Sequence, residues 1–216
     1  MKQTIRSLGI AALAGAALLI SSPQARSQNF YVDANAGVAL ADDVDLRQFL
    51  VSTRGTELDL DPGARLSVAG GYNFCPTFGI QLETGFIHNS VDGSDGDMSF
   101  GHVPLLADVV FRYDQPDCKW VPYAGAGAGG DLSIISLDHV RAPNGAVVDG
   151  SDSDIVFAWQ LFAGLRYKIN DKMSIGGGYK FYSANGARWD VEDSSGDIRT
   201  GRAQVHSIGV DFNIKF

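Results

Sequence analysis

Cysteine is nearly missing from this chain, with only Cys75 and Cys118 among 216 residues. Two thiols cannot build a zinc site alone, and no C-x-x-C spacing is present. Positive charge is also short: Lys and Arg number 17 against 25 Asp and Glu, a formal net charge of −8. Phosphate backbones are bound by basic surfaces, so nucleic acid is excluded as a partner. After residue 20 no apolar run approaches the ~20 residues that a spanning helix needs. That absence excludes a helical membrane bundle. It does not exclude a barrel, whose strands carry an alternating signal that averaging erases. A mean hydropathy of zero fits such averaging.

The N-terminus carries Lys2 and Arg6, then the apolar stretch from Leu8 to Ile20, then Ser21, Ser22, Pro23 and Ala25-Arg26-Ser27. This is the three-part pattern of a secretory signal peptide. Residues 1–27 are read as that peptide, cut after Ser27, with Ala25 as the other site. The apolar stretch is too short for a membrane anchor. Removal takes away Lys2, Arg6 and Arg26 and no acid, which leaves −11. Export also permits Cys75 and Cys118 to pair.

The remainder alternates. In a strand, successive side chains point to opposite faces. Phe30, Val32, Ala34, Ala36, Val38 and Leu40 form one apolar face, opposite Tyr31, Asp33, Asn35 and Gly37. The same two-faced period recurs near 64–74, 78–86, 103–113, 155–167, 173–181 and 208–216. The last stretch places Ile208, Val210, Phe212, Ile214 and Phe216 against Gly209, Asp211, Asn213 and Lys215. Residues 120–130 read as a further strand, although their Ala/Gly alternation leaves the outward face unassigned. Leu106 and Val110 blur the polar face of the fourth strand.

Residues 41–62, 89–100, 131–153 and 183–202 read as long polar loops, the first containing one short apolar turn at Leu46, Phe49, Leu50 and Val51. Short turns hold Cys75-Pro76-Thr77, Asp114-Gln115-Pro116-Asp117 and Asn170-Asp171-Lys172. Long and short connections therefore alternate, as in an up-and-down sheet. Strands of about 10 to 12 residues span a bilayer when tilted ~45°. Phe30, Tyr72, Phe74, Phe78, Tyr113, Trp120, Tyr167 and Phe216 collect on the short-turn side, as an interfacial girdle does. A soluble, lipocalin-like barrel would show the same period with its apolar face inside. The membrane reading is preferred because the polar face is crowded with Gly and Ala, as a narrow lumen requires, while the apolar face is uniformly large.

Val121-Pro122-Tyr123-Ala124-Gly125-Ala126-Gly127, Gly164-Leu165-Arg166-Tyr167, Gly178-Tyr179-Lys180-Phe181 and the closing Phe216 resemble the outer-membrane β-barrel domain family, the OmpA-like and opacity-like surface proteins. The resemblance covers residues 28–216. It implies an all-β, eight-stranded antiparallel up-and-down transmembrane barrel with short periplasmic turns and long extracellular loops. It further implies outer-membrane lipid and lipopolysaccharide as surroundings, insertion by the barrel-assembly machinery, a monomer and no cofactor. In that family a terminal Phe behind alternating apolar residues is an assembly signal, which points to Phe212, Ile214 and Phe216.

The inward charges Arg65, Glu83, Asp108, Arg112, Arg166, Lys180 and Asp211 must pair in so narrow a barrel, because an unpaired buried charge is costly. They read as a plug of salt bridges or, alternatively, as the lining of a gated ion path. Asp92, Asp95 and Asp97 and the near copy Asp149, Asp152 and Asp154 offer hard oxygen atoms, but the EF-hand spacing is missing. They read as solvated loop acids. Some barrels of this kind deacylate lipid A with a His two residues before a Ser. Here Phe181 stands where that His belongs, and the adjacent His206 and Ser207 would face opposite ways. The expected role is therefore structural or surface-interacting, without catalysis, with an extracellular ligand held by the loops. A narrow small-solute or ion pore is the alternative, and a lipid A-modifying enzyme is the third reading. Cys75 and Cys118 lie in turns two strands apart, about 10 Å by strand spacing, so a disulfide requires the turns to lean together.

Overall fold

The computed structural model describes residues 29–50, 56–58, 60–91, 97–141, 147–190 and 197–216. The signal-peptide reading of residues 1–27 lies outside them. Among the described residues all regular structure is strand. Eight strands close a barrel: β1 (Phe30–Ala41), β4 (Gly63–Asn73), β5 (Phe78–Ser90), β6 (Asp97–Arg112), β7 (Trp120–Arg141), β8 (Val147–Lys168), β9 (Met173–Ala184) and β12 (Ala203–Lys215). All pairs are antiparallel between chain neighbours, and β12 closes on β1 through Tyr31–Lys215 to Ala41–Val205.

The period of two settles which way each side chain points. Leu66, Leu82, Leu105, Phe111, Phe157, Ile208 and Val210 are each more than half exposed on the outer face. The inner face carries the charges and amides. In β7 the unassigned faces resolve: Val121 and Tyr123 are buried, while Trp120 is half exposed. Gly125 and Gly127 follow on the inner side. A Cβ on Gly125 would lie 2.3 Å from the Phe162 ring, and one on Gly127 would lie 1.7 Å from Asp108 Oδ1. These positions are glycine because opposite side chains occupy the lumen there. Leu106 and Val110, which blur the sequence pattern, also point inward and are fully buried.

The regions read as long loops are substantially strand, a correction to the sequence reading. β7 and β8 continue as one hairpin to Arg141 and Val147, with a bulge between Leu137 and Val140 and His139 at a φ of 56°. The presumed apolar turn around Leu46 is strand β2 (Val44–Leu50), paired with β3 (Thr56–Leu58). The last loop holds β10 (Arg188–Asp190) and β11 (Asp197–Thr200). These four make a second sheet in the order β10-β11-β2-β3, which joins the first and last loops across the β1–β12 seam.

Inside the barrel the character changes with height. The short-turn half is polar. Near the long-loop end a layer of Ala39, Ile87, Leu106, Ala158, Tyr182, Ala184 and Val205 closes the lumen. Above it Val91, Met98, Phe100, Ile135, Leu137, Ala187 and Trp189 form a second apolar cluster.

Candidate functional site

The lumen contains the densest chemistry. Glu83 on β5 sits between two cations. Arg65 Nη2 donates to its Oε1 at 3.0 Å, and Lys180 Nζ donates to Oε2 at 2.6 Å and Oε1 at 2.8 Å. The same Arg65 nitrogen donates to Gln160 Oε1 at 2.7 Å. Gln160 and Gln81 donate to the two oxygens of Asp108 at 2.9 and 2.8 Å, and Tyr31 donates to Gln81 at 3.0 Å. One chain of polar contacts thus crosses the middle of the barrel. Such ion pairs add little stability over an apolar filling. They make the loss of one partner expensive, because a charge stays buried unpaired.

Closer to the short turns Arg166 bridges Asp33 and Asp211. Its guanidinium lies 4.2 Å from the Tyr123 ring centroid, and the Tyr123 hydroxyl donates to Asp211 at 3.0 Å. Asn213 donates to Asp33 at 3.2 Å. Arg112 stands apart at the mouth, donating to Asn73 Oδ1 at 2.6 Å with its guanidinium 4.4 Å from the Tyr31 ring centroid. Below it, in the second turn, Asp114 takes an ion pair from Lys168 and one from Lys215, the latter at 2.9 Å. Burial pushes the Asp114 carboxyl upward, but hydrogen bonds and charge from the two lysines outweigh it and hold it below its ordinary value.

The charges singled out from sequence therefore fall into separate groups: Arg65, Glu83 and Lys180; Arg166 and Asp211; Asp108 among amides; Arg112 alone. Sequence reasoning omitted the neutral members Tyr31, Gln81, Tyr123, Gln160 and Asn213 from the network. Their shared parity with the charged positions was the available signal. His102 also bonds Asp131 at 2.7 Å, in a buried pair above the network.

The long-loop mouth is covered. Trp189 on β10 is 1% exposed, donates to the Ser133 carbonyl at 3.2 Å and packs on Phe100. Arg188 N donates to Asp154 Oδ2 at 2.9 Å, which ties β10 to β8. The first loop is tied similarly: Asn89 Nδ2 donates to the carbonyls of Ala39 and Asp61.

Asp152 and Asp154 lie in β8 rather than in a loop, a further correction. Asp97 and Asp149 also fall within strands, and Asp92 and Asp95 lie outside the described residues. Among the described residues no group of three metal-binding side chains occurs. Cys75 and Cys118 are both exposed, each as a free thiol in its own turn. His206 faces outward, where its Nδ1 meets the Tyr179 hydroxyl at 2.5 Å, while Ser207 is buried inside.

The outer face carries an aromatic rim at the short-turn end. Phe30, Tyr72, Phe74, Phe78 and Phe111 touch in sequence with centroids 5.0 to 5.5 Å apart. Phe212, Ile214 and Phe216 share this outward side, and Phe216 N donates to the Phe30 carbonyl at 2.9 Å. An apolar belt of this kind, with polar groups turned inward, is the form that lipid imposes on a closed sheet.

Comparison with known proteins agrees. The model of the outer membrane protein beta-barrel domain matches residues 11–216. Neisserial surface protein A is 15% identical with a TM-score of 0.54, covering 89% of this chain and 100% of that one. Outer membrane protein OprG from Pseudomonas aeruginosa is 15% identical with a TM-score of 0.52, covering 87% and 97%. Outer membrane protease OmpT from Escherichia coli has a TM-score of 0.54 at 6% identity, covering 91% and 99%. At these identities the structures speak for the fold alone. No curated protein matches the sequence. With its lipid-facing belt, its filled lumen and a family match over nearly its whole length, the chain belongs to the outer-membrane β-barrel domain family and resides in the outer membrane.

Proposed function

We propose that the barrel is a sealed anchor with a structural and surface-interaction role, presenting the sheet β10-β11-β2-β3 to an extracellular macromolecule. The filled lumen carries this reading. Arg65, Glu83 and Gln160 are at most 2% exposed at its centre, and Trp189 lies across its mouth. A narrow ion path, the alternative, would require Glu83 to part from Arg65 and Lys180. Catalysis is not part of the proposal, since His206 and Ser207 face opposite sides of the wall. Cleavage after Ser27, insertion through Phe212, Ile214 and Phe216, and a monomeric barrel complete it.

Planar-bilayer recording of the refolded protein tests the seal, with no reproducible conductance steps expected. Steps that change with Glu83→Gln would favour the pore. Replacing residues 44–58 by a short Gly/Ser turn tests the surface role. Adhesion of expressing cells should fall while the heat-modifiable gel shift persists. Undiminished adhesion would overturn the assignment of that sheet.

A further inference from the structure

The periplasmic end of the barrel opens into a cavity of about 580 Å³. Its lining is basic, with Arg112, Arg166, Lys168, Lys172 and Lys215 against Asp114 and Asp171. In a chain of net charge −8 this is a local reversal of sign. Most of these cations are already engaged: Arg166 by Asp33 and Asp211, Lys168 and Lys215 by Asp114. Arg112 differs. It is 5% exposed, yet its recorded partners are the neutral Asn73 amide and the face of Tyr31. Its Nη2 has no hydrogen-bond partner among the described residues. A buried guanidinium with an unused donor is costly to maintain, and a planar anion is the group its fork fits.

We propose that this vestibule is an anion site, in which a carboxylate or phosphate group of a periplasmic molecule seats on Arg112. The site is pre-shaped. Tyr31 and Asn73 fix the guanidinium plane, and Gly79 leaves room beside it, since a Cβ there would lie 3.1 Å from Arg112 Nη1. Lys172, exposed in the third turn, adds long-range attraction at the rim. The ligand enters from the periplasm and goes no further, because Arg166 and its carboxylates fill the lumen above it.

The test is titration of the refolded, isotope-labelled barrel in micelles with succinate, with inorganic phosphate and with poly-glutamate at low salt. The Arg112 Nε–H resonance should move along a saturating curve. Arg112→Gln should weaken binding by roughly ten-fold or more, the size of a lost charged hydrogen bond. Lys172→Gln should weaken it by about two- to five-fold, as an exposed charge does. Saturation with the small anions identifies a free solute as ligand, and saturation with the polymer alone identifies an acidic chain. Either result supports the site. An Arg112 resonance that stays still, or drifts without saturating, overturns it, and that reading needs no variant to fold. Binding unchanged in a folded Arg112→Gln barrel overturns it equally.

Discussion

Glu83→Gln is the sharpest test of how the lumen is held together. The substitution keeps shape and removes one charge. In the native barrel that carboxylate accepts from Arg65 at 3.0 Å and from Lys180 at 2.6 and 2.8 Å, and its side chain is 2% exposed. After the change, two cations remain buried without a directly bonded carboxylate. Asp108 cannot replace it, because Gln81 and Gln160 hold both of its oxygens. Breaking one partner out of a buried pair costs about 3–5 kcal/mol. At ~1.4 kcal/mol per tenfold, the folded-to-unfolded ratio should fall by roughly two to four orders of magnitude. Adding Lys180→Met removes one stranded charge. The double variant should recover at least about 1.5 kcal/mol over the single, a coupling typical of residues in one network. Guanidinium unfolding of the refolded barrel in micelles, followed by tryptophan fluorescence, measures both. A single variant within ~0.5 kcal/mol of wild type, or a double that is merely the sum of its parts, would refute a lumen held by mutual charge satisfaction.

Gly127→Ala should destabilise by about 1–3 kcal/mol, since its Cβ would displace Asp108 from its amides. Gly130→Ala, which meets nothing within 4 Å, should stay within about 0.5 kcal/mol of wild type in the same unfolding series. Trp189→Ala should cost about 3–5 kcal/mol in the outer cluster and speed amide exchange around His102, read by mass spectrometry; unchanged exchange would show that Trp189 is not the cover. Asp114 has a lowered native carboxyl pKa, so its ion pairs stabilise above the unfolded value, near 3.9, and are lost as pH falls through the native value. The gap between wild type and Asp114→Asn should be full at pH 6 and close as the pH falls past the unfolded carboxylate value and through the lower native one. A gap that does not depend on pH would contradict this.

The barrel was legible because one rule governs its membrane-embedded part: apolar residues outside, polar residues inside, at a period of two. That rule placed Arg65, Glu83 and Asp211 in the lumen from their parity alone. It failed above the bilayer because the rule reverses there. Ile135 and Leu137 point inward with Phe100 and Met98, while Ser90 and Ser136 turn outward toward water. Read with the membrane code, Ser133 to Leu137 and Ser151 to Asp154 look like loop, although they are ladder. The pairing within the charge network was not legible either. Parity says that Arg112 and Arg166 both face inward, but not that one meets two carboxylates and the other none. The strand stagger decides that, and the sequence carries no direct record of it.

The continuous β7–β8 hairpin has a mechanical consequence. Each strand is 22 residues long. At ~3.3 Å per residue and a tilt of ~45°, such a strand rises about 50 Å, and the apolar band of an outer-membrane barrel occupies only ~25 Å of that. The remaining height is a mast whose interior holds the apolar cluster of Val91, Met98, Phe100, Ile135, Leu137, Ala187 and Trp189. It carries the sheet bound at its side away from the bilayer surface and holds it at a set distance from the lipid headgroups.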